Sequence, residues 1–137
     1  WSDRLVLLLD TSGLLCYIHT SEPQHPIAVK AFDAAHTYLT HSYVLSEFVA
    51  LAQVRNLPRI DALTFVTDLL EHPDIETIWV DEELHQEAVN LLLNRMDKTY
   101  SLCDAVSFVL MRHQGITDAL TTDRHFEQEG FVRLLTT

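Results

Sequence analysis

The sequence predicts a three-layer α/β/α fold: a central parallel five-stranded sheet with helices on both faces, forming a single domain over residues 1–137. Three observations predict it. Leu5 to Leu9 is an uninterrupted apolar run of one strand's length, as expected of a strand buried on both faces. Strand-like and helix-like segments then alternate along the chain, with connections long enough for parallel crossovers. The length of 137 residues, 47% of them hydrophobic, suits one core and no more.

After the first strand, Ser12 is read as the N-cap of a short helix over Gly13 to His19. Thr20 to Pro26 carries turn residues, and a helix is expected from Ile27 to Ala35. Thr37 to His41 makes a second strand. From Ser42 to Asn56 apolar positions cover most of a helix, which Leu57-Pro58 closes; Pro58 is placed to open another over Arg59 to Glu71. Ile75 to Val80, β-branched and aromatic, is the third strand. Asp81 caps an amphipathic helix with Leu84, Ala88, Leu91 and Leu92 at helical spacing. Ser101-Leu-Cys-Asp104 has the form of a capping box and opens an almost wholly apolar helix that Gly115 ends. Ile116 to Thr122 is the fourth strand, Asp123 to Phe126 a turn or short helix, and Phe131 to Leu135 the last strand.

Composition narrows the function classes. A net charge of −11 argues against coating nucleic acid or an anionic membrane by bulk electrostatics, although it permits a site that holds a cation and meets a polyanion locally. The apolar runs are too short to cross a bilayer, and no charged-then-apolar leader precedes Leu5, so a soluble, cytoplasmic protein without membrane attachment is expected. The chain opens on Trp1 without an initiator Met, so a short preceding piece is expected. Cys16 and Cys103 have no metal-ligand spacing and read as reduced structural thiols, with one long-range disulfide as the alternative.

Most of the twenty acidic residues sit on solvated helix faces, but four do not. Asp10 and Asp123 each follow a buried strand, and a sheet with strands one and four side by side would bring them into one crevice. Glu47 has Tyr43, Val44, Ala50 and Leu51 one turn away, an apolar face on which a carboxylate must be paired, protonated or metal-bound; the alternative is a Glu at the helix edge. Asp104 alone would be a capping residue; with the others it walls the same crevice. Two like charges about 4 Å apart repel by roughly 4 kcal/mol at an effective dielectric of 20, which a divalent cation relieves. Oxygen ligands select Mg²⁺ or Mn²⁺ over Zn²⁺. Ser12, Ser101, Thr121 and Thr122 are candidates to hold carboxylates or waters, and Arg124, Lys98 or His125 to touch a substrate, each with a local or surface role as the alternative.

The segments Leu9-Asp10-Thr11-Ser12, Ser46-Glu47-Phe48, Ser101-Leu-Cys-Asp104-Ala-Val-Ser107-Phe and Leu120-Thr-Thr-Asp123-Arg-His-Phe126, in that order, resemble the PIN domain, a family of metal-dependent ribonucleases that includes the VapC-type toxins. The resemblance covers essentially the whole chain. It implies the strand order 3-2-1-4-5, an acidic pocket of Asp10, Glu47, Asp104 and Asp123 binding Mg²⁺ or Mn²⁺, an RNA substrate, and often a homodimer. The single-domain size favours the toxin branch, with an antitoxin protein as partner, over a PIN nuclease of RNA processing or decay. The expected reaction is hydrolysis of RNA phosphodiester bonds, with metal held by the carboxylates lowering the pKa of a bound water. The rival class is a binding module whose acidic pocket captures a basic partner segment. An aspartyl phosphatase would want a second Asp where Ser12 stands, and GxxxxGK[ST], GxSxG and HExxH are all missing.

Overall fold

The computed structural model describes residues 5–136. Its elements are β1 (Val6–Leu9), α1 (Thr11–Ile18), α2 (His25–Ala34), β2 (Thr37–His41), α3 (Ser42–Val54), α4 (Arg59–Glu71), β3 (Ile75–Ile78), α5 (Glu82–Leu93), α6 (Leu102–Gln114), β4 (Asp118–Leu120), α7 (His125–Gln128) and β5 (Val132–Arg133). All four strand pairings are parallel and the order is β3-β2-β1-β4-β5. The chain runs outward from β1 through β2 to β3, then returns to lay β4 on the other side of β1. The order therefore reverses between β1 and β4, and a crevice opens at their carboxyl ends.

Strand alternation divides the core in two. Leu7 and Leu9 of β1 point into a cluster with Leu14, Val44, Phe48 and Leu69 from α1, α3 and α4. Leu8 points the other way, into a cluster with Leu84, Ala88, Phe108 and Met111 from α5 and α6. Helix α6 is buried continuously from Cys103 to Met111, which explains why its sequence carries no clean polar face. Both cysteines are free and buried, as the reduced-thiol reading expected. Among the described residues no helix is long and apolar enough to cross a membrane.

Several boundaries differ from the sequence expectation for identifiable reasons. Helix α2 starts at His25 because Pro26 fits the first turn, where its missing N–H is not needed. Strand β4 is shorter than Ile116 to Thr122 at both ends. The Ile116 N–H closes on the Met111 carbonyl at 2.9 Å behind the left-handed Gly115, and Thr121 and Thr122 turn to the crevice. Ser12 is not the cap of α1: Asp10, extended at φ −95° and ψ 165°, holds that position. Asp81 and the Ser101–Asp104 capping box are formed as the sequence predicts.

Candidate active site

Each wall of the crevice is built by local backbone structure. The Asp10 N–H donates to the Leu120 carbonyl at 3.2 Å, continuing the β1–β4 ladder, while its own carbonyl accepts from Leu14 at 2.9 Å to start α1. The carboxylate is thus fixed by two elements at once. Gly13 permits this: a Cβ there would overlap the Leu120 carbonyl oxygen, so only glycine lets α1 pass so close to the end of β4. Ser12, turned away from any capping role, accepts from the Thr122 N–H at 3.0 Å and bonds the Thr121 hydroxyl at 3.2 Å. Thr121 in turn donates to Asp10 Oδ2 at 2.7 Å and accepts the Asp123 N–H at 3.0 Å. One buried hydroxyl therefore links two of the four acids.

Asp104 combines the two roles its sequence position suggested. Its Oδ2 accepts the Ser101 N–H at 3.0 Å, while the Asp104 N–H donates to Ser101 Oγ at 3.0 Å. The same Oδ2 lies 2.9 Å from His125 Nδ1, and Asp123 Oδ1 lies 3.3 Å from that nitrogen. Ionised carboxylates only accept, so Nδ1 carries the proton and donates it to Asp104, with Asp123 Oδ1 close beside it. Asp123 Oδ1 also accepts the His125 N–H at 2.9 Å, which holds the start of α7. Thr99 Oγ1 lies 3.1 Å from the other ring nitrogen, and Tyr100 packs edge-on at 5.2 Å. The Tyr100 hydroxyl donates to Glu129, a buried carboxylate that Arg95 and Arg112 also grip, at 3.0 Å and 2.7 Å.

Asp10, Glu47, Asp104 and Asp123 line a single cleft of about 400 Å³, together with Thr11, Ser12 and His125. Thr121 lies buried behind it, and Arg124 is exposed and forms no part of its lining. Lys98 pairs with its neighbour Asp97 at 3.5 Å. Glu47 departs from the expectation of burial. Ala50 beside it is exposed, so the apolar face inferred from the helix spacing is incomplete, and Glu47 sits exposed at the rim.

The electrostatics are those of crowded acids. Asp10 is 4% exposed, and burial pushes its carboxyl up to about 7; the Thr121 hydrogen bond opposes the rise, and the charges of Asp104 and Asp123 add to it. Burial also raises Asp104, held back by Ser101 and His125, and raises Glu47, with the charge of Asp104 adding to it. Burial drives the Cys103 thiol upward as well, so it stays protonated beside the acids. Among the described residues Asp10 has no Lys or Arg as an ion-pair partner.

Two features fit a hard divalent cation. Thr11 Oγ1 is buried in the cleft lining without a hydrogen-bond partner among the described residues. Carboxylate oxygens of Asp104 and Asp123 lie within 4.8 Å of one another, and apart from His125, whose Nδ1–H is engaged with Asp104, the side-chain donors lining the cleft are oxygens. The sequence offered His125 as a substrate contact, with a local or surface role as the alternative; in the structure it holds Asp104 through Nδ1 and Asp123 through its backbone N–H. Its signal was its place two residues after Asp123, indistinguishable in one dimension from a helix start.

The sequence profile of the PIN domain matches residues 7–131. The 23S rRNA-specific endonuclease VapC20 of Mycobacterium tuberculosis, from two strains, is 26% identical over 130 residues, covering 94% of this chain and 98% of the relative. The crystal structure of Mycobacterium tuberculosis VapC20, described as a sarcin-ricin loop cleaving toxin, superposes with a TM-score of 0.84 at 26% identity over 92% of this chain and 96% of that one.

Proposed function

The chain belongs to the PIN domain family, and from that premise we propose that it is a divalent-metal-dependent endoribonuclease, the toxin of a toxin–antitoxin pair. The observation that carries the reading is the convergence of Asp10, Glu47, Asp104 and Asp123 on one open cleft, with Asp10 buried and lacking a counter-ion among the described residues. Asp10, Asp104 and Asp123 are the residues that would hold Mg²⁺ or Mn²⁺, and Glu47 completes the set from the rim. When bound, such an ion supplies Lewis-acid stabilisation and an activated water.

The remaining chemistry belongs to the chain. Thr121 fixes the Asp10 carboxylate and the Asp123 backbone in one arrangement, so neither acid has to reorganise when the cleft fills. His125 holds Asp104 through its Nδ1–H and Asp123 through its backbone N–H. Glu47, half in solvent and with its pKa raised, is suited to orient the attacking water and receive its proton. No protein nucleophile is required.

Similarity to a 23S rRNA-specific endonuclease makes large-subunit ribosomal RNA the first substrate to test. An antitoxin and a second copy of the chain are the proposed protein partners. Ile60, Leu63 and Leu70, exposed on α4 at spacings of one and two turns, offer an apolar stripe of the sort such partners cover.

The test incubates the purified protein with a ribosomal hairpin RNA and Mg²⁺ or Mn²⁺, beside a chelator control, Asp10→Asn and Asp104→Asn. Cleavage that needs the ion and disappears in both variants is expected. Intact RNA under every ion, or cleavage that survives both substitutions, removes the nuclease assignment and leaves the acidic cleft as a binding site for a basic protein segment.

A further inference from the structure

A second cleft of about 280 Å³ adjoins the acidic one, and the two share Ser12, Leu51 and Thr122 in their walls. They form one trough across the start of α1. Helix α3 runs beside it with Glu47, Leu51 and Arg55 at four-residue spacing, hence on one stripe of its surface. Glu47 faces the acids, Leu51 stands at the join, and Arg55 reaches the far cleft. At 1.5 Å per residue the stripe is about 12 Å long, which separates Arg55 from the acids by more than the size of one phosphate.

Among the described residues Arg55 is the only Lys or Arg in the walls of either cleft. In a chain of net charge −11, a polyanion lying in the trough meets this guanidinium beyond the metal-binding acids. Its present partner holds it loosely: Glu22 Oε2 lies 3.4 Å from Nη1, and the Arg55 side chain is 53% exposed, a geometry in which ion pairs are weak. A planar guanidinium suits a phosphate with two parallel hydrogen bonds. The same wall contains Gln24, whose Oε1 is buried with no hydrogen-bond partner among the described residues. A side-chain amide is a group that pairs with base edges.

Resting on the nuclease reading above, we propose that the second cleft is a subsite for a nucleotide flanking the scissile phosphate, with Arg55 anchoring that nucleotide's phosphate and Gln24 facing its base. Arg55 leaves Glu22 to do so, which makes Glu22 an internal competitor of the RNA. Removing Glu22's charge should therefore tighten RNA binding, by releasing Arg55 and by lowering the repulsion in the cleft wall.

The experiment measures anisotropy of a labelled ribosomal hairpin RNA with Ca²⁺ in place of Mn²⁺, and cleavage separately with Mn²⁺, for the wild type, Arg55→Ala, Arg55→Lys, Glu22→Gln and Arg59→Ala. Arg59 is an exposed cation outside both clefts and serves as the control. Arg55→Ala should bind about tenfold more weakly, with the slope of log affinity against log salt shallower by about 0.7. Arg55→Lys should recover the slope and part of the affinity, and Glu22→Gln should bind about threefold more tightly. In cleavage, Arg55→Ala should raise KM and leave kcat near the wild-type value. Arg55→Ala matching Arg59→Ala in affinity and slope overturns the subsite and leaves the cleft to a protein segment. If Arg55→Ala does not fold, Glu22→Gln decides, and unchanged or weaker RNA binding overturns the proposal. RNA bound with an Arg55-dependent slope yet uncleaved in Mn²⁺ removes the nuclease reading alone; cleavage with no dependence on Arg55 removes the subsite alone.

Discussion

Replacing Asp10 by Asn removes a charge that the fold buries without a counter-ion among the described residues, and the metal-free protein should become more stable for it. The folded carboxyl titrates near 7 against an unfolded value of 3.8, chiefly because burial disfavours its ionised form. Since the folded value is the higher one, the stability tied to the protonated carboxyl is complete below pH 3.8 and is lost as pH rises through 7. At about 1.4 kcal/mol per pH unit the full loss is about 4 kcal/mol, an upper bound because Asp104 and Asp123 share the repulsion. Asn keeps the acceptor for Thr121 but adds an amide that must find a partner, a cost of about 1 kcal/mol. A net gain of about 2 kcal/mol corresponds to a rise in Tm of roughly 6 °C for a chain of this length. Thermal melts in chelator at pH 5 and pH 8 read it directly. The variant should melt higher than the wild type at pH 8, with most of the difference gone at pH 5. Adding Mn²⁺ at pH 8 should raise the wild type and leave the variant nearly unchanged. A variant that melts lower at pH 8, or by the same margin at both pH values, refutes the claim that Asp10 is a buried, uncompensated acid.

Two further outcomes test the support behind the cleft. His125→Ala removes the Nδ1–H that holds Asp104 beside Asp123 and should weaken Mn²⁺ binding by about 10–100-fold in calorimetry; equal or tighter binding would show that the ring only fills space. Glu129→Gln strips Arg95, Arg112 and Tyr100 of their common acceptor and should destabilise the protein by about 2 kcal/mol at pH 7, less than a fully buried pair because both arginines are partly solvated. Burial favours the protonated Glu129, but Arg95, Arg112 and Tyr100 outweigh it and hold the carboxyl below 4.5. Its contribution is therefore present above pH 4.5 and lost as pH falls through the folded value, so denaturant midpoints of variant and wild type should converge in acid.

The acids at the ends of β1 and β4 were legible in the sequence because a charge after a buried apolar run is a local contrast. The strand order was not readable from alternation alone; it came with the likeness to the PIN domain, since nothing in a strand's own composition says which neighbour it will take. Glu47 shows the limit of helical spacing. Its neighbours are apolar, but whether Ala50 meets another element depends on packing distant in sequence, and here it meets water. Ser12 shows another: a hydroxyl before a helix reads as a cap, yet the extended backbone of Asp10 moved the helix start two residues earlier and turned Ser12 toward Thr122. Arg55, and the contact of His125 with Asp104, were hidden for a similar reason, because each depends on a partner some 20 to 33 residues away.

The capping box of Asp104 has a consequence for how the molecule would register occupancy of its cleft. The oxygen that accepts the Ser101 N–H and meets His125 belongs to the third residue of the most deeply buried helix. Any cation that draws charge from this carboxylate weakens it as an acceptor and loosens the first turn of α6. Amide hydrogen exchange at Ser101 should accelerate on metal binding while the rest of α6 slows. The helix start would then act as a gauge of the cleft, readable with no substrate present.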